Sequence, residues 1–256
     1  MNTNTLLDLQ GRTAVVTGGS RGVGRATAIM LADAGASVGI GYRSRDREAL
    51  QTVEDLQARG VKAWAQAGDL GDPAGARELF LRADREFDGL DIFVGNAGIW
   101  PPEDIPLAEM TDEHWRRTMR ENLDSVFYST REAVRRMRDD GRIVLVSSTA
   151  GQRGEAFHGD YAATKGAIIS LVKGLCGELG SRGITVNCVA PGWIDTEMAH
   201  PALGEGRKEV IARSIPLGRI PPPEDIAGPI VFLCSRLGRH VTGEILNVNG
   251  GSVLVG

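Results

Sequence analysis

A tyrosine and a lysine four residues apart carry the clearest chemical signal in the sequence. They are Tyr161 and Lys165 in the stretch GDYAATKGA, where the remaining residues are mostly small. This spacing puts both on one face of a helix. A positive charge about 4 Å from a phenol favours the phenolate by roughly 4 kcal/mol at an effective dielectric of about 20, before desolvation. We therefore expect the pKa of Tyr161 to fall up to about three units below 10, giving an acid/base catalyst near pH 7.

Other polar residues support a catalytic interpretation of this pair. Ser147 and Ser148 end the apolar run RIVLVSS, where a hydroxyl would point into a ligand crevice, and Asn122 lies in the long amphipathic segment before it. The alternatives are a coincidental tyrosine–lysine spacing, a strand-end hydroxyl bonded to backbone, and a capping or buried asparagine. The joint occurrence of these polar residues with the tyrosine–lysine pair favours catalysis.

A glycine-rich turn, TGGSRGVG, places Gly18, Gly22 and Gly24 between a β-branched run and a helix-like segment. Glycines let the backbone approach a pyrophosphate, and the free N–H groups at a helix start favour negative charge. The spacing departs from the GxGxxG fingerprint, and a plain strand-to-helix turn is the alternative. The position of this turn, after the first strand of an alternating chain, favours nucleotide binding.

The residues that end the second strand-like run predict which nucleotide is used. Twenty residues beyond Gly22, where an acid normally holds the ribose hydroxyls of NAD, the sequence has Tyr42 followed by Arg43. Arg43, together with Arg21, can pair with a 2′-phosphate, so NADP(H) is favoured over NAD(H). The alternative is that both arginines are exposed loop residues, and Asp46 nearby weakens the preference.

Strand-like and helix-like runs that alternate along the chain must position these residues. Near-continuous apolar strands separated by helices require parallel strands buried on both faces. We predict an α/β protein, a single-domain Rossmann-type doubly wound parallel β-sheet with helices on both faces, spanning residues 1–256. The strand-like runs are residues 13–19, 37–42, 62–70, 92–98, 142–148, 184–192 and 244–251.

Composition argues against several other classes of protein. The chain is 42% hydrophobic and 24% charged, with a net charge of -4, so no basic surface is expected to bind nucleic acid or anionic membranes. The arginine runs RRTMR and REAVRRMR have acidic residues among or near them, as on a solvated helix face. The N-terminus, MNTNTLLDLQGR, lacks the pattern of a signal peptide, and no apolar run could span a membrane. A cytoplasmic protein is expected.

The cysteines and histidines do not suggest a metal site. Cys176, Cys188 and Cys234 are odd in number and lie in apolar surroundings, so we expect buried core residues in a reducing compartment. The four histidines include no pair at ligand spacing. We expect no catalytic metal.

A series of short motifs extends over nearly the whole chain. In order they are TGGSRGVG, GDL at 68–70, NAG at 96–98, ENL at 121–123, SS at 147–148, YAATK at 161–165, PGWIDT at 191–196 and VNGG at 248–251. Each motif alone is weak. Together, in this order, they resemble the short-chain dehydrogenase/reductase family and, within it, the 3-oxoacyl-[acyl carrier protein] reductase-like group.

The resemblance implies a role for each catalytic candidate. Tyr161 would protonate a substrate carbonyl oxygen while hydride arrives from the nicotinamide. Ser148, thirteen residues before the tyrosine, would hydrogen-bond the same oxygen. Lys165 would tune Tyr161 and hold the nicotinamide ribose, and Asn122 would anchor a water that links Lys165 to solvent.

The resemblance also implies the residues that bind the cofactor. Asp69 would accept from the adenine amine, Asn96 would line the ribose region, and Thr196 would meet the nicotinamide carboxamide. The full set is Gly18, Ser20, Arg21, Gly22, Val23, Gly24, Tyr42, Arg43, Ser44, Asp69, Leu70, Asn96, Ala97, Gly98, Tyr161, Lys165, Pro191, Gly192, Ile194 and Thr196.

The predicted function is NADPH-dependent reduction of a carbonyl to a secondary alcohol, with a 3-oxoacyl thioester as the leading substrate. The alternatives are an NAD(P)-dependent alcohol or sugar dehydrogenase of the same family and a non-catalytic cofactor-binding sensor.

The resemblance implies a homotetramer. Substrate choice is expected to depend on a lid at about 194–222 and on Trp100, which is either a pocket wall or a core or interface residue. His158 faces either substrate or solvent.

Overall fold

The computed structural model describes residues 7–204 and 206–255, in which seven segments form one parallel β-sheet. The first residues of the N-terminal segment, 1–6, lie outside this description, as does residue 205 of the predicted lid. The strands are β1 (Thr13–Thr17), β2 (Ser37–Tyr42), β3 (Ala63–Ala67), β4 (Leu90–Gly95), β5 (Met137–Val146), β6 (Thr185–Pro191) and β7 (Ile245–Val248). Their order across the sheet is β3-β2-β1-β4-β5-β6-β7. The predicted fold class is confirmed.

Helices connect the strands and cover both faces of the sheet. Some of their boundaries follow local sequence: α3 begins at Pro73, and the preceding Asp72 side chain accepts a hydrogen bond from the backbone N–H of Ala74 at 2.9 Å. The helices are α1 (Gly22–Asp33), α2 (Asp46–Gln57), α3 (Pro73–Glu86), α4 (Asp112–Met119), α5 (Ser125–Arg136), α6 (Thr149–Arg153), α7 (Gly159–Leu179), α8 (Arg207–Ser214) and α9 (Glu224–Cys234). Short 3-10 turns lie at Leu107–Glu109, Gly180–Arg182 and Arg236–Gly238.

Successive strand residues point to opposite faces, and both faces are buried. Val15 and Phe93 join the core cluster under α3, α5 and α7, whereas their neighbours Val16 and Val94 join the cluster under α1, α2 and α9. Because most positions of the central strands are buried on one side or the other, these strands are largely apolar; the exceptions are buried Asp91 and Asn187 and the exposed start of β5. This packing brings the carboxyl ends of the strands to one edge of the sheet.

The amphipathic segment from 111 to 138 is not one continuous α-helix. A π-helix, Arg120–Asp124, separates α4 from α5, and the chain enters β5 at Met137. Asn122 lies in the π-helix and is fully buried. Its amide group bonds to both backbone groups of Ile99, so the irregular turn is tied to the loop after β4.

Two of the three cysteines are buried as predicted. Cys188 and Cys234 lie in the core, but the prediction is wrong for Cys176, which is only half-buried where it packs at the margin of the core. All three are free thiols. Within the described ranges, no helix is long and apolar enough to cross a membrane.

Candidate active site

The loops that follow the strands surround a cavity of about 840 Å³ beside the sheet's reversal point. The strand order reverses between β1 and β4, and a doubly wound sheet binds its ligands at this point. The cavity is lined by Ser148, Tyr161 and Lys165 and by every predicted cofactor-binding residue except Gly24. Asn122 does not line it either, because the residue is fully buried behind the loop at Ile99.

The turn after β1 has the shape of an anion cradle. Gly18 has a φ of 67°, and a Cβ at Gly24 would collide with the Gly18 carbonyl oxygen. Asn96 fixes the turn from the side by donating from its amide nitrogen to the Thr17 carbonyl oxygen at 3.0 Å. Arg21 at the N-cap of α1 makes no side-chain hydrogen bond to the first turn, whose N–H groups remain available for an anion. These residues fit the pyrophosphate of a dinucleotide.

Tyr161 and Ser148 lie beside each other at the other end of the cavity. Ser148 ends the loop after β5 and accepts from the backbone N–H of Ala150 at 3.2 Å, which caps α6. Its side chain lies beside that of Tyr161, in the first turn of α7. The Ser147 hydroxyl instead donates to the Lys165 carbonyl oxygen at 2.7 Å. The structure therefore places Ser148, and not Ser147, beside the tyrosine.

The ammonium of Lys165 does not lie at the tyrosine hydroxyl. Its Nζ donates to the Val146 carbonyl oxygen at 3.0 Å and lies 5.6 Å from the centroid of the Tyr161 ring. Burial raises the pKa of Tyr161 to about 12, and the hydrogen bond with Ser148 opposes that rise. Burial lowers the pKa of Lys165 to about 8. The predicted lowering of the Tyr161 pKa is wrong here, because desolvation outweighs a charge that is directed elsewhere.

Asn122 and Lys165 border the same small space. The Asn122 Oδ1 accepts from the backbone N–H of Ile99 at 2.7 Å, and its Nδ2 donates to the Ile99 carbonyl oxygen at 3.1 Å. A Cβ at Gly98 would lie 2.7 Å from Asn122 Oδ1 and 3.6 Å from Lys165 Nζ. A side chain at position 98 would collide with Asn122 Oδ1, so the bare glycine lets the asparagine lie against this backbone.

Three arginines lie near the end of β2, and sequence analysis missed one of them. Arg43 Nη1 pairs with Glu121 at 2.8 Å, and Arg21 Nη1 pairs with Glu197 at 2.7 Å. Arg45, which was not predicted, approaches the same Glu197 oxygen at 3.4 Å. A second basic residue in the stretch RSRDR was a visible signal for it.

Tyr42 and Asp69, which were predicted to bind the adenosine part of the cofactor, form hydrogen bonds within the protein. The Tyr42 hydroxyl donates to the Asp46 carboxylate at 2.9 Å. The Asp69 carboxylate pairs with Arg120 at 2.5 Å and accepts from the backbone N–H of Gly71 at 3.0 Å. Both side chains still line the cavity.

Aromatic side chains form a wall beside Tyr161. The ring of Trp100 lies 4.7 Å from that of Tyr161, 4.2 Å from that of His158 and 6.1 Å from that of Trp193, measured between centroids. His158 is buried and its Nε2 lies 3.0 Å from Asp104 Oδ1. Trp100 is thus a cavity wall, and His158 packs behind it instead of facing solvent.

Comparison with known proteins agrees with the class that this sheet and cavity define, an oxidoreductase with a Rossmann-type fold. The family model described as Enoyl-(Acyl carrier protein) reductase matches residues 18–252. The chain belongs to the short-chain dehydrogenase/reductase family.

Curated relatives and solved structures match almost the whole chain. The 3-oxoacyl-[acyl-carrier-protein] reductase FabG of Staphylococcus aureus is 37% identical over 94% of this chain and 97% of its own length. The Escherichia coli protein of the same name is 38% identical over 97% of this chain and all of its own. A Burkholderia cenocepacia short chain dehydrogenase solved with NADP is 37% identical, with a TM-score of 0.89 over 95% of this chain and 98% of that one. A blue fluorescent protein from a metagenomic library, solved with NADPH, is 40% identical, with a TM-score of 0.90 over 96% of this chain and all of that one.

Proposed function

We propose that this protein uses NADPH to reduce a carbonyl to a secondary alcohol, with a 3-oxoacyl thioester as substrate. One observation carries the proposal: the neighbouring Ser148 and Tyr161 side chains line the same cavity as a dinucleotide cradle. The FabG relatives, whose names state 3-oxoacyl-[acyl-carrier-protein] reduction, support the thioester. Two structural relatives solved with NADP or NADPH support the phosphorylated cofactor.

Tyr161 is the proton donor in this mechanism. The bound nicotinamide supplies hydride to the carbonyl carbon. With a pKa near 12, Tyr161 holds its proton at neutral pH and donates it from Oη to the carbonyl oxygen as charge develops there. The Ser148 hydroxyl, beside that of Tyr161, donates a second hydrogen bond to the same oxygen and stabilises the developing charge. Hydride and proton together convert the carbonyl to the alcohol.

Lys165 and Asn122 support the tyrosine in this proposal. With a pKa near 8, Lys165 is charged at neutral pH, and we propose that its ammonium turns from the Val146 carbonyl oxygen toward the phenolate as the proton leaves. Asn122 Oδ1 borders the same space as Lys165 Nζ, beside Gly98. We propose that a water in this space links Lys165 to solvent and returns the proton to Tyr161.

The first test is consumption of NADPH by the purified protein with acetoacetyl-coenzyme A, with NADH in parallel. We expect kcat/KM to be at least about tenfold higher with NADPH, because charge-assisted hydrogen bonds to the 2′-phosphate contribute about 1.5–3 kcal/mol. Equal rates with the two cofactors would contradict the cofactor proposal. NADPH binding without turnover of acetoacetyl-coenzyme A would contradict the thioester.

The aromatic wall favours a second candidate, a dehydrogenase or reductase of compact cyclic substrates. Trp100 lies edge-on to Tyr161 and its ring centroid is 6.1 Å from that of Trp193, and compact apolar rings suit such a wall. The same assay, run with cyclohexanone in place of the thioester and with cyclohexanol and NADP⁺ in the reverse direction, separates the candidates. A higher kcat/KM for either cyclic compound than for acetoacetyl-coenzyme A would favour this one.

We also propose one catalytic domain with a lid at about 194–222, assembled as a cytoplasmic homotetramer. Large apolar side chains at the surface, Phe127 on α5 and Leu254 after β7, suit burial against another copy of the chain. Light scattering coupled to size exclusion is expected to give four times the chain mass of 27.3 kDa. A mass of one chain at micromolar concentration would contradict the tetramer.

A further inference from the structure

Two arginines from different segments converge on one carboxylate oxygen at the mouth of the cavity. Arg21 comes from the turn after β1 and Arg45 from the loop before α2, and both approach Oε2 of Glu197, at 2.7 and 3.4 Å. Glu197 belongs to the predicted lid, 152 residues after Arg45. Two guanidinium groups on a single anionic oxygen form the arrangement that a phosphate oxygen takes.

The neighbouring charges distinguish these two arginines from Arg43. Arg43 pairs with Glu121, a carboxylate of the π-helix that is largely buried. Arg45 keeps a second contact, from Nη1 to Glu48 on α2 at 3.1 Å, which orients its other nitrogen toward Glu197. Arg21 and Arg45 therefore define the anion position, although Arg43 lies closer than Arg45 to the end of β2 in the sequence.

The same ion pairs hold the start of the lid against α1. Thr196, next to Glu197, lies so close to the turn that a Cβ at Gly22 would be 3.5 Å from its Cγ2. The neighbouring Asp195 pairs with Lys208 on α8 at 2.6 Å. Asp195, two residues before Glu197, thus ties the start of the lid to α8.

We propose that Glu197 is an internal competitor for the 2′-phosphate of the cofactor, in a subsite formed by Arg21 and Arg45. This inference rests on the proposed use of NADP(H). The phosphate displaces the carboxylate from the two guanidinium groups and frees the start of the lid from α1. NADH has no 2′-phosphate, so it leaves the Glu197 pairs intact. Glu197 therefore reduces the margin by which the protein prefers NADPH.

The test is Glu197→Gln, which keeps the shape of the side chain and removes its charge. Dissociation constants for NADPH and NADH are measured by calorimetry, so the result does not depend on turnover. We expect NADPH to bind about fivefold more tightly, since exposed ion pairs such as these are weak and removing the carboxylate frees both guanidinium groups, and NADH to change less than about twofold. Arg45→Ala is expected to weaken NADPH binding more than Arg43→Ala does.

Glu48→Gln is the matched control, because it removes a carboxylate from the same Arg45 without touching the lid. An equal gain in NADPH affinity in this control would mean general electrostatics and would overturn the inference. A second readout is tryptic cleavage of the cofactor-free protein at Arg207 or Lys208, which we expect to be several-fold faster in Glu197→Gln.

The outcomes separate this inference from the proposed function. If the wild-type protein binds NADPH no more tightly than NADH, the proposed cofactor is wrong. If it prefers NADPH but Glu197→Gln leaves that affinity unchanged or lower, the competitor is wrong and the proposed function stands.

Discussion

Tyr161→Phe is expected to lower kcat by about 10³-fold while NADPH binding stays within about twofold of wild type. The substitution removes only the hydroxyl, which is the proposed proton donor. The ring remains to pack edge-on against Trp100 and under the Lys165 ammonium, so the cavity keeps its shape. Single-turnover oxidation of NADPH with acetoacetyl-coenzyme A, or with the best substrate found, measures the loss.

Ser147→Ala is a suitable control for this variant. It removes a buried hydrogen bond to the Lys165 carbonyl oxygen at the same strand end but no group that contacts substrate in the proposed mechanism. We expect its kcat to stay within about tenfold of wild type, at some cost in stability. Retention of more than a tenth of wild-type kcat by Tyr161→Phe would remove the tyrosine from its proposed role, and failure to bind NADPH would show a structural defect instead.

The sheet and the location of the site could be predicted because both follow from local patterns. Apolar runs such as TAVVT and DIFVG reflect strands buried on both faces, and parallel strands bring their ends to one edge. Glycines at Gly18 and Gly24 indicate a close backbone approach that sequence alone can recognise. The cavity therefore gathers nearly all of the residues that spacing and the family resemblance together had indicated.

The partners of the charged groups could not be predicted in this way. Spacing of four residues puts Tyr161 and Lys165 on one helix face, but the Val146 carbonyl, nineteen residues away on another element, determines where the ammonium lies. The pairing of Arg45 with Glu197 joins segments 152 residues apart. Such contacts depend on how separate elements pack, and helical or strand periodicity carries no information about them.

Lys165→Met is expected to lower kcat by at least about 10²-fold and to increase the free energy of unfolding at pH 7. Burial lowers the pKa of Lys165 to about 8, from 10.5 for an ordinary lysine. The difference between these values corresponds to about 3 kcal/mol lost by burying the charged form. Methionine is similar in length and uncharged, but it leaves the Val146 carbonyl without its donor, at a cost of about 1–2 kcal/mol. The net gain is about 1–2 kcal/mol.

The difference in free energy of unfolding between Lys165→Met and wild type is expected to change sign with pH. Because the folded-state pKa lies below the unfolded one, the unfolded chain binds more protons between about pH 8 and 10.5. Wild-type stability therefore rises with pH through that window, relative to a variant that lacks the group. We expect Lys165→Met to be more stable than wild type at pH 7 and less stable near pH 10, where the lysine is neutral in the folded protein and still bonds to Val146.

Urea unfolding of both proteins at the two pH values measures this difference, in which the titration of all other groups largely cancels. Lys173→Met is the control, because this lysine lies on the same helix but is exposed. We expect this variant to keep wild-type activity, and its difference from wild type in free energy of unfolding to be the same at both pH values. If Lys165→Met is destabilised equally at both pH values, burial of the ammonium carries no penalty. Because Lys165 lies at the candidate active site, a gain in stability together with a loss of activity would mean that the fold retains a costly buried charge for its chemistry.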